Sequence, residues 1–321
     1  MILLYDFTWV LFLVAVIAFL CEYMDSSLGM GYGTTLTPIL LIMGFEPIQI
    51  VPAVLLSEFI TGIISALFHV LFKNMTLGFK KSPRTDIDPI VDQESAPLEP
   101  PKPTSSLQSK KGSAFFAKFM KLTTDSKVVI ILIGFGALGT ILSSVLSAYF
   151  SYGSLFKFAV KLYIGVMVLS MGVLILVYIR RQMHFSLKKI ILIGALAGFN
   201  KGISGGGYGP LAVSGQILSG RDGKNAIAST SLSEGVICFV GVVATLITNL
   251  ISSHASGGPF DIGDWGLSLY LIIGTVLSTP LAALTTKKVE SKWLKIVVAI
   301  VTILLGSFTL IKTILNFTGY W

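Results

Sequence analysis

The stretch GMGYG at 29–33 returns as GGGYG at 205–209, and each copy interrupts a long apolar run. Glycine costs about 1 kcal/mol relative to alanine in a helix interior, so two glycine clusters inside apolar segments read as breaks in helices. Sliding the chain against itself by 205 − 29 = 176 residues superposes Gly29, Gly31, Tyr32 and Gly33 on Gly205, Gly207, Tyr208 and Gly209. The same shift lays Gly44 on Gly220, and Ser57 and Glu58 on Ser233 and Glu234. The chain reads as an internal repeat.

The surroundings of the two breaks decide the class. Hydrophobic residues make up 53% of the chain and charged residues only 12%, with a mean hydropathy of +0.83. Soluble domains carry about 25% charged residues, so composition excludes them and points to an integral membrane protein. The apolar runs are long enough for helices across a hydrocarbon core of about 30 Å, and the alternation of a β-barrel is absent. Runs near 7–24, 30–43, 48–73, 128–150, 155–179, 188–200, 207–219, 225–250, 265–285 and 293–315 predict an all-α bundle of about ten transmembrane segments. The first run has no basic region before it and no small-residue cleavage signal, and is read as a retained helix. Cys21 and Cys238 lie inside apolar segments and are read as packed thiols.

One long polar stretch breaks the pattern. Residues 74–127 include SPRTDIDPIVDQESAPLEPPKPTSSLQSKKG at 82–112, which has too little apolar surface to fold and is expected to be disordered. AFFAKFMKL at 114–122 within it is a candidate amphipathic helix on the membrane surface. Five segments precede Arg180 and five follow it, giving a first repeat over 1–73 and 128–179 and a second over 180–321. Lys73, Lys80, Lys81, Arg84 and the lysines from Lys110 to Lys127 place the insert in the cytoplasm. Arg180, Arg181, Lys188 and Lys189 mark a second cytoplasmic turn, and Lys287, Lys288, Lys292 and Lys295 a third. SSHASGGPFDIGD at 252–264 contains no lysine or arginine and belongs outside, as do both termini, whereas Arg221 and Lys224 fall inside. Lys157 and Lys161, at the outer end of their segment, break the rule and must snorkel or face the bundle interior. Because five is an odd number, the second repeat enters the bilayer from the opposite side, as in the inverted repeats of many secondary transporters.

Glycine clusters within a span expose backbone N–H and C=O groups, which lipid does not tolerate unless they line a cavity or meet a ligand. The half-helices that begin near Thr34 and Pro210 would then present free N–H groups and a positive dipole end at membrane depth, an anion site. Ser26, Ser27, Thr34, Thr35 and Ser204 flank the breaks and add hydroxyls. The competing reading is that the glycines only let helices pack closely.

Charged side chains inside the spans carry the remaining signal. Glu58 and Glu234 sit mid-span, where an unpaired charge costs about 3 kcal/mol on insertion scales, so both face the protein interior. Glu58 shares a helical face with Thr61, Ser65 and His69, at spacings of three, four and four residues. These carboxylates either couple transport to a proton or cation or cap the broken backbone of their own repeat. The repeat shift puts Lys201, next to Asn200, against Asp25. Lys201 is a candidate contact for an anion, and Asp25 either pairs with it or takes part in coupling.

GISG at 202–205 mimics the nucleophile motif of intramembrane serine proteases. The three histidines, His69, His184 and His254, are all poorly placed to serve Ser204 as a base, and the first repeat has Leu28 at that position. An enzyme is not expected. A gated anion channel remains the alternative to a transporter.

DSSLGMGYGTTLTPIL at 25–40 and NKGISGGGYGPLAVSGQIL at 200–218, each followed by a helix of small residues, VPAVLLSE at 51–58 and AIASTSLSE at 226–234, resemble the sulfite exporter TauE/SafE family of membrane transporters. The resemblance spans both halves. It implies export of a sulfur-containing oxyanion or organosulfonate across the cytoplasmic (inner) membrane, with Gly29, Gly31, Tyr32, Gly33, Gly205, Gly206, Gly207, Tyr208 and Gly209 near the substrate path. The roughly fifty-residue insert departs from that family. The expected partners are the small anion and the lipid bilayer, with no nucleic acid, metal or organic cofactor. The sequence leaves open whether the segments beside the glycines cross fully or turn back within the membrane.

Overall fold

The computed structural model describes residues 2–78, 121–150, 154–178, 187–219, 221–255, 265–286 and 292–318. These form ten helices: α1 (Ile2–Leu28), α2 (Tyr32–Ile42), α3 (Pro47–Leu71), α4 (Thr124–Phe150), α5 (Ser154–Tyr178), α6 (Leu187–Ser204), α7 (Tyr208–Leu218), α8 (Gly223–Ala255), α9 (Gly266–Thr286) and α10 (Lys292–Thr318). Every expected segment is helical. Six stretches are long and apolar enough to cross a membrane: Trp9–Leu28 of α1, α3, Thr124–Ser147 of α4, Ser154–Val177 of α5, Gly223–Ile251 of α8 and Val298–Thr318 of α10. Whether the segments beside the glycines cross fully, left open by the sequence, is answered by the length of α2 and α7. Each has 11 residues, a length of about 16 Å, roughly half the hydrocarbon thickness.

The local sequence accounts for several boundaries. Pro47 suits the first turn of α3, and Glu46 and Gln49 form a reciprocal capping box in which the Glu46 N–H donates to Gln49 Oε1 over 3.1 Å. Gly29 and Gly205, at φ 69° and 72°, and Gly31 and Gly207, at 135° and 80°, take backbone conformations that side chains resist. They end one helix and permit another to start three residues later.

At the second break the chain reverses. Gly215 of α7 lies against Ile193 of α6, and Gly207 against Asn200, so the two helices run side by side in opposite directions. A continuous broken helix would hold Ile193 and Gly215 at opposite ends. At the first break, Val14, Ala18 and Cys21 of α1 likewise share one core cluster with Tyr32, Leu36 and Leu40 of α2. The structure is thus built around two helical hairpins whose tips are the glycine-rich pentapeptides.

The long helices pack in pairs around the hairpins. α4 lies on α6 and α9 on α1, α3 crosses α8, and α5 packs on α10. Small residues let backbones touch at these crossings: Gly62 against Gly235, Gly136 against Gly198, and Gly274 against Ala15. Burial is inverted relative to a soluble protein. Leu138, Leu142, Leu192, Leu277 and Leu304 are exposed, whereas Thr37, Ser57, Thr61, Ser65 and Thr140 are buried. An apolar exterior of this extent is a lipid-facing surface.

Residues on either side of the insert hold each other. The Thr123 N–H donates to the Gly78 carbonyl over 2.9 Å, and the Thr123 hydroxyl to the Thr76 carbonyl over 2.8 Å. Arg221 pairs with Asp125 and also donates to Ser229 Oγ over 3.1 Å, tying the end of the second hairpin to the start of α4. Lys80, Lys81, Arg84, Lys110, Arg180, Arg181, Lys287 and Lys288, used to assign orientation, and the greater part of the insert lie outside the described residues.

Candidate functional site

The two hairpin tips meet and interlock. A Cβ on Gly33 would press on the Gly205 carbonyl and lie 2.7 Å from the Gly206 Cα. One on Gly209 would lie 2.6 Å from the Gly29 carbonyl oxygen and 3.0 Å from the Met30 Cα. The exchange is reciprocal, since Gly209 and Gly205 are the repeat equivalents of Gly33 and Gly29. The close-packing reading of the glycines holds here, backbone on backbone, where the starts of α2 and α7 are buried.

The tyrosines anchor each tip in the same way. The Tyr32 hydroxyl lies 2.8 Å from Ser57 Oγ on α3, and the Ser57 hydroxyl donates to the Val54 carbonyl over 3.0 Å. Tyr208 repeats this on α8, donating to Ser233 Oγ over 2.8 Å, while Ser233 donates to the Thr230 carbonyl over 2.9 Å. Each bond fixes the first turn of a short helix to the long helix that follows it. Thr37 Oγ1 donates to the Ser204 carbonyl over 3.0 Å, joining α2 to the end of α6.

The two helix starts differ in charge. The Tyr32 N–H donates to Asp25 Oδ1 over 3.2 Å, so a carboxylate of the chain itself occupies the positive end of α2. Lys201 stands at the equivalent place before α7, and the N-cap residues of the two helices, Gly31 and Gly207, have no side chain with which to cap them. Ser204 closes the second tip, its hydroxyl donating to the Asn200 carbonyl over 2.6 Å and accepting the Gly206 N–H over 3.1 Å. Asn200 Oδ1 accepts a hydrogen bond from the Tyr163 hydroxyl of α5. Thr34 and Thr35, in the first turn of α2, are buried with hydroxyls that lack a hydrogen-bond partner.

Behind the tips lies an ion cluster. Lys201, only 1% exposed, pairs with Glu58 Oε2 and with Glu234 Oε1, the latter over 2.8 Å. The Cys238 thiol also faces Glu58 Oε2, at 3.5 Å. One lysine of the second repeat thus holds the two repeat-equivalent glutamates. Lys201 reaches these glutamates rather than Asp25.

Glu22 is the buried carboxylate of this site that sequence reasoning missed. It is buried one turn before Asp25 and Ser26, its Oε1 accepting the Ser26 hydroxyl over 2.6 Å and its Oε2 lacking a partner. The available signal was a carboxylate inside the first apolar run. A cavity of about 10 Å³, close to the space of one water, is lined by Glu22, Asp25, Glu58, Glu234, Thr61 and Ser65 among others. Four carboxylates therefore line one cavity, two of them paired with Lys201, and Glu58 Oε1 and Ser65 Oγ lack partners. The polar stripe of α3 leads away from this cavity to buried His69, whose Nδ1 lies 2.9 Å from Asn74 Nδ2. Among the described residues no three His, Cys, Asp or Glu side chains are placed so that they could hold a metal ion together.

Comparison with known proteins agrees with the architecture. The family model described as "Sulfite exporter TauE/SafE" matches residues 106–309, which include the second hairpin. Over 302 residues the chain is 25% identical to the "Probable membrane transporter protein YtnM" of Bacillus subtilis (strain 168), covering 93% of this chain and 82% of that protein.

Proposed function

The chain belongs to the sulfite exporter TauE/SafE family, and from that premise we propose that it exports a small sulfur-containing anion, sulfite or an organosulfonate, by alternating access coupled to proton movement. It is a multi-pass membrane transporter. The observation that carries the finer reading is the Lys201 ammonium, held between Glu58 of the first half and Glu234 of the second directly behind the interlocked tips.

Two inverted repeats fit the packing. α2 and α7 share length and offset, the tyrosine–serine bonds recur, and the pairings of α4 with α6 and of α9 with α1 exchange under the repeat. A hairpin enters and leaves on one side, so the orientation assigned from charge is the same as for full crossings. In this reading the cytoplasmic membrane is spanned by the long helices, and the hairpins bring their tips together at mid-depth.

The substrate anion binds where the broken helices begin, at Gly29, Gly31, Gly33, Thr34 and Thr35 of the first tip and at Asn200, Ser204 and Gly205 to Gly209 of the second. The start of α7 is the more receptive, because Asp25 already fills the start of α2. Protonation of Glu58 and Glu234 frees the charge of Lys201 for the anion, so proton and anion binding reinforce each other. Asp25 and Glu22 share the same cavity and the same proton pool.

Liposomes containing the purified protein test the reading. Uphill sulfite movement under an imposed pH gradient is expected in the wild type, and Glu58→Gln/Glu234→Gln is expected to bind sulfite yet ignore the gradient, because an amide cannot release a proton. Downhill flux alone would favour a gated channel, and a double variant that still accumulates sulfite would reduce the pair to a structural role.

A further inference from the structure

Lys157 and Lys161, which violate the charge rule for outer loops, face a cavity at the far end of α2 from the tips. The cavity measures about 250 Å³ and also takes Lys312 and Thr309 from α10 into its wall, with Phe158 and Phe317 as apolar lining. Lys157 and Lys161 are one turn apart on α5, and Thr309 and Lys312 are likewise neighbours on one face of α10. The two phenyl rings stack with centroids 4.0 Å apart. No member of the central ion cluster lines this space.

The charge there is only partly compensated. Lys161 Nζ pairs with Glu46 Oε1 over 3.0 Å, and Lys312 Nζ donates to the Ile42 carbonyl at the C-terminal end of α2 over 2.9 Å. Among the described residues, three ammonium groups thus face one carboxylate and one partial helix charge. Thr309 is buried, and its hydroxyl has no hydrogen-bond partner although it lines the cavity. A buried hydroxyl left unpaired beside excess positive charge is the complement of an acceptor-rich anion. The volume is slightly below the usual range of about 300–1,000 Å³ for small-molecule sites.

We propose that this cavity is a second binding site, separate from the hairpin tips, for an organic oxyanion such as a sulfonate or a phosphate ester, with its oxygens on Lys157, Lys312 and Thr309 and an apolar substituent against Phe158 and Phe317. The shared chemistry is the oxyanion head group, whose source is either a soluble anion or an anionic lipid.

The test uses the purified full chain in an uncharged detergent, titrated calorimetrically with methanesulfonate and, separately, with dihexanoyl phosphatidylglycerol. Binding of at least one probe is expected to weaken tenfold or more in Lys157→Met, to weaken severalfold in Thr309→Val, and to recover in Lys157→Arg. Losses confined to methanesulfonate identify a soluble anion, and losses confined to phosphatidylglycerol identify a lipid head group. Both probes binding Lys157→Met and Thr309→Val as they bind the wild type, or failing to bind the wild type, would overturn the site. Lys157 is exposed, so its variants are expected to fold. Because the readout is binding at a cavity remote from the tips, its failure leaves the liposome result for the central cluster untouched.

Discussion

Lys201 supplies the ammonium that Glu58 and Glu234 share, and its removal has a calculable consequence. Taking away one partner of a buried ion pair leaves an uncompensated charge and costs about 3–5 kcal/mol. Lys201→Met is therefore expected to lower the melting temperature of the purified protein sharply, because Glu58 and Glu234 both lose their cation. Adding Glu58→Gln and Glu234→Gln to that variant should recover most of the loss, since neutral amides need no counter-charge. A triple variant no more stable than Lys201→Met would mean that the lysine matters through its packing rather than its charge. The sequence identified Glu58 and Glu234 as interior charges, because an apolar span permits charge only where it faces protein, and the repeat shift singled out Lys201 and Asp25 at the entries to the broken segments. It did not identify the pairing. Lys201 and Glu58 are 201 − 58 = 143 residues apart, and the repeat shift aligned Lys201 with Asp25, whose carboxylate instead takes the Tyr32 N–H.

The hairpin tips turn a composition feature into an architectural one. Glycine at 33, 206 and 209 is required by backbone contact and not by φ alone, because each added Cβ would enter the opposite tip. Gly33→Ala is expected to destabilise the protein by about 1–3 kcal/mol, the range for overpacking a close-packed site. Gly134→Ala is the control. No atom lies within 4 Å of a Cβ built there, so the substitution should be neutral or raise stability by up to about 1 kcal/mol through helix propensity. Thermal unfolding of both variants in detergent measures the difference, and equal effects would show that the tips have room to separate. The glycine breaks were legible from the sequence, and α2 and α7 begin within two residues of the expected segment starts at 30 and 207. Their reversal was not, since a glycine cluster permits a bend without specifying its angle.

Across the molecule, the insert is expected to be dispensable, and the structure adds a mechanical reason. Gly78 and Thr123, near its two ends, are hydrogen-bonded to each other, so the bundle is closed without it. Deleting 83–109 shortens a loop whose ends are already joined, and closure entropy changes only slowly with length, by about 0.6 kcal/mol per doubling. Sulfite transport in liposomes close to wild type is the expected result. Loss of transport with normal melting behaviour would assign the insert a regulatory role. The sequence by itself determined that this is a helical membrane protein, where its helices lie, that two related glycine clusters break them, and that a few charges must sit inside. Those are properties of hydropathy and local backbone preference, which act along the chain. Only the tertiary structure decided that the breaks are hairpin tips set against each other, that one lysine serves both glutamates, that Glu22 joins them around a water-sized cavity, and that Lys157 and Lys161 line another with Lys312. Apolarity specifies which groups leave the lipid, whereas the packing of distant helices specifies which groups they then meet.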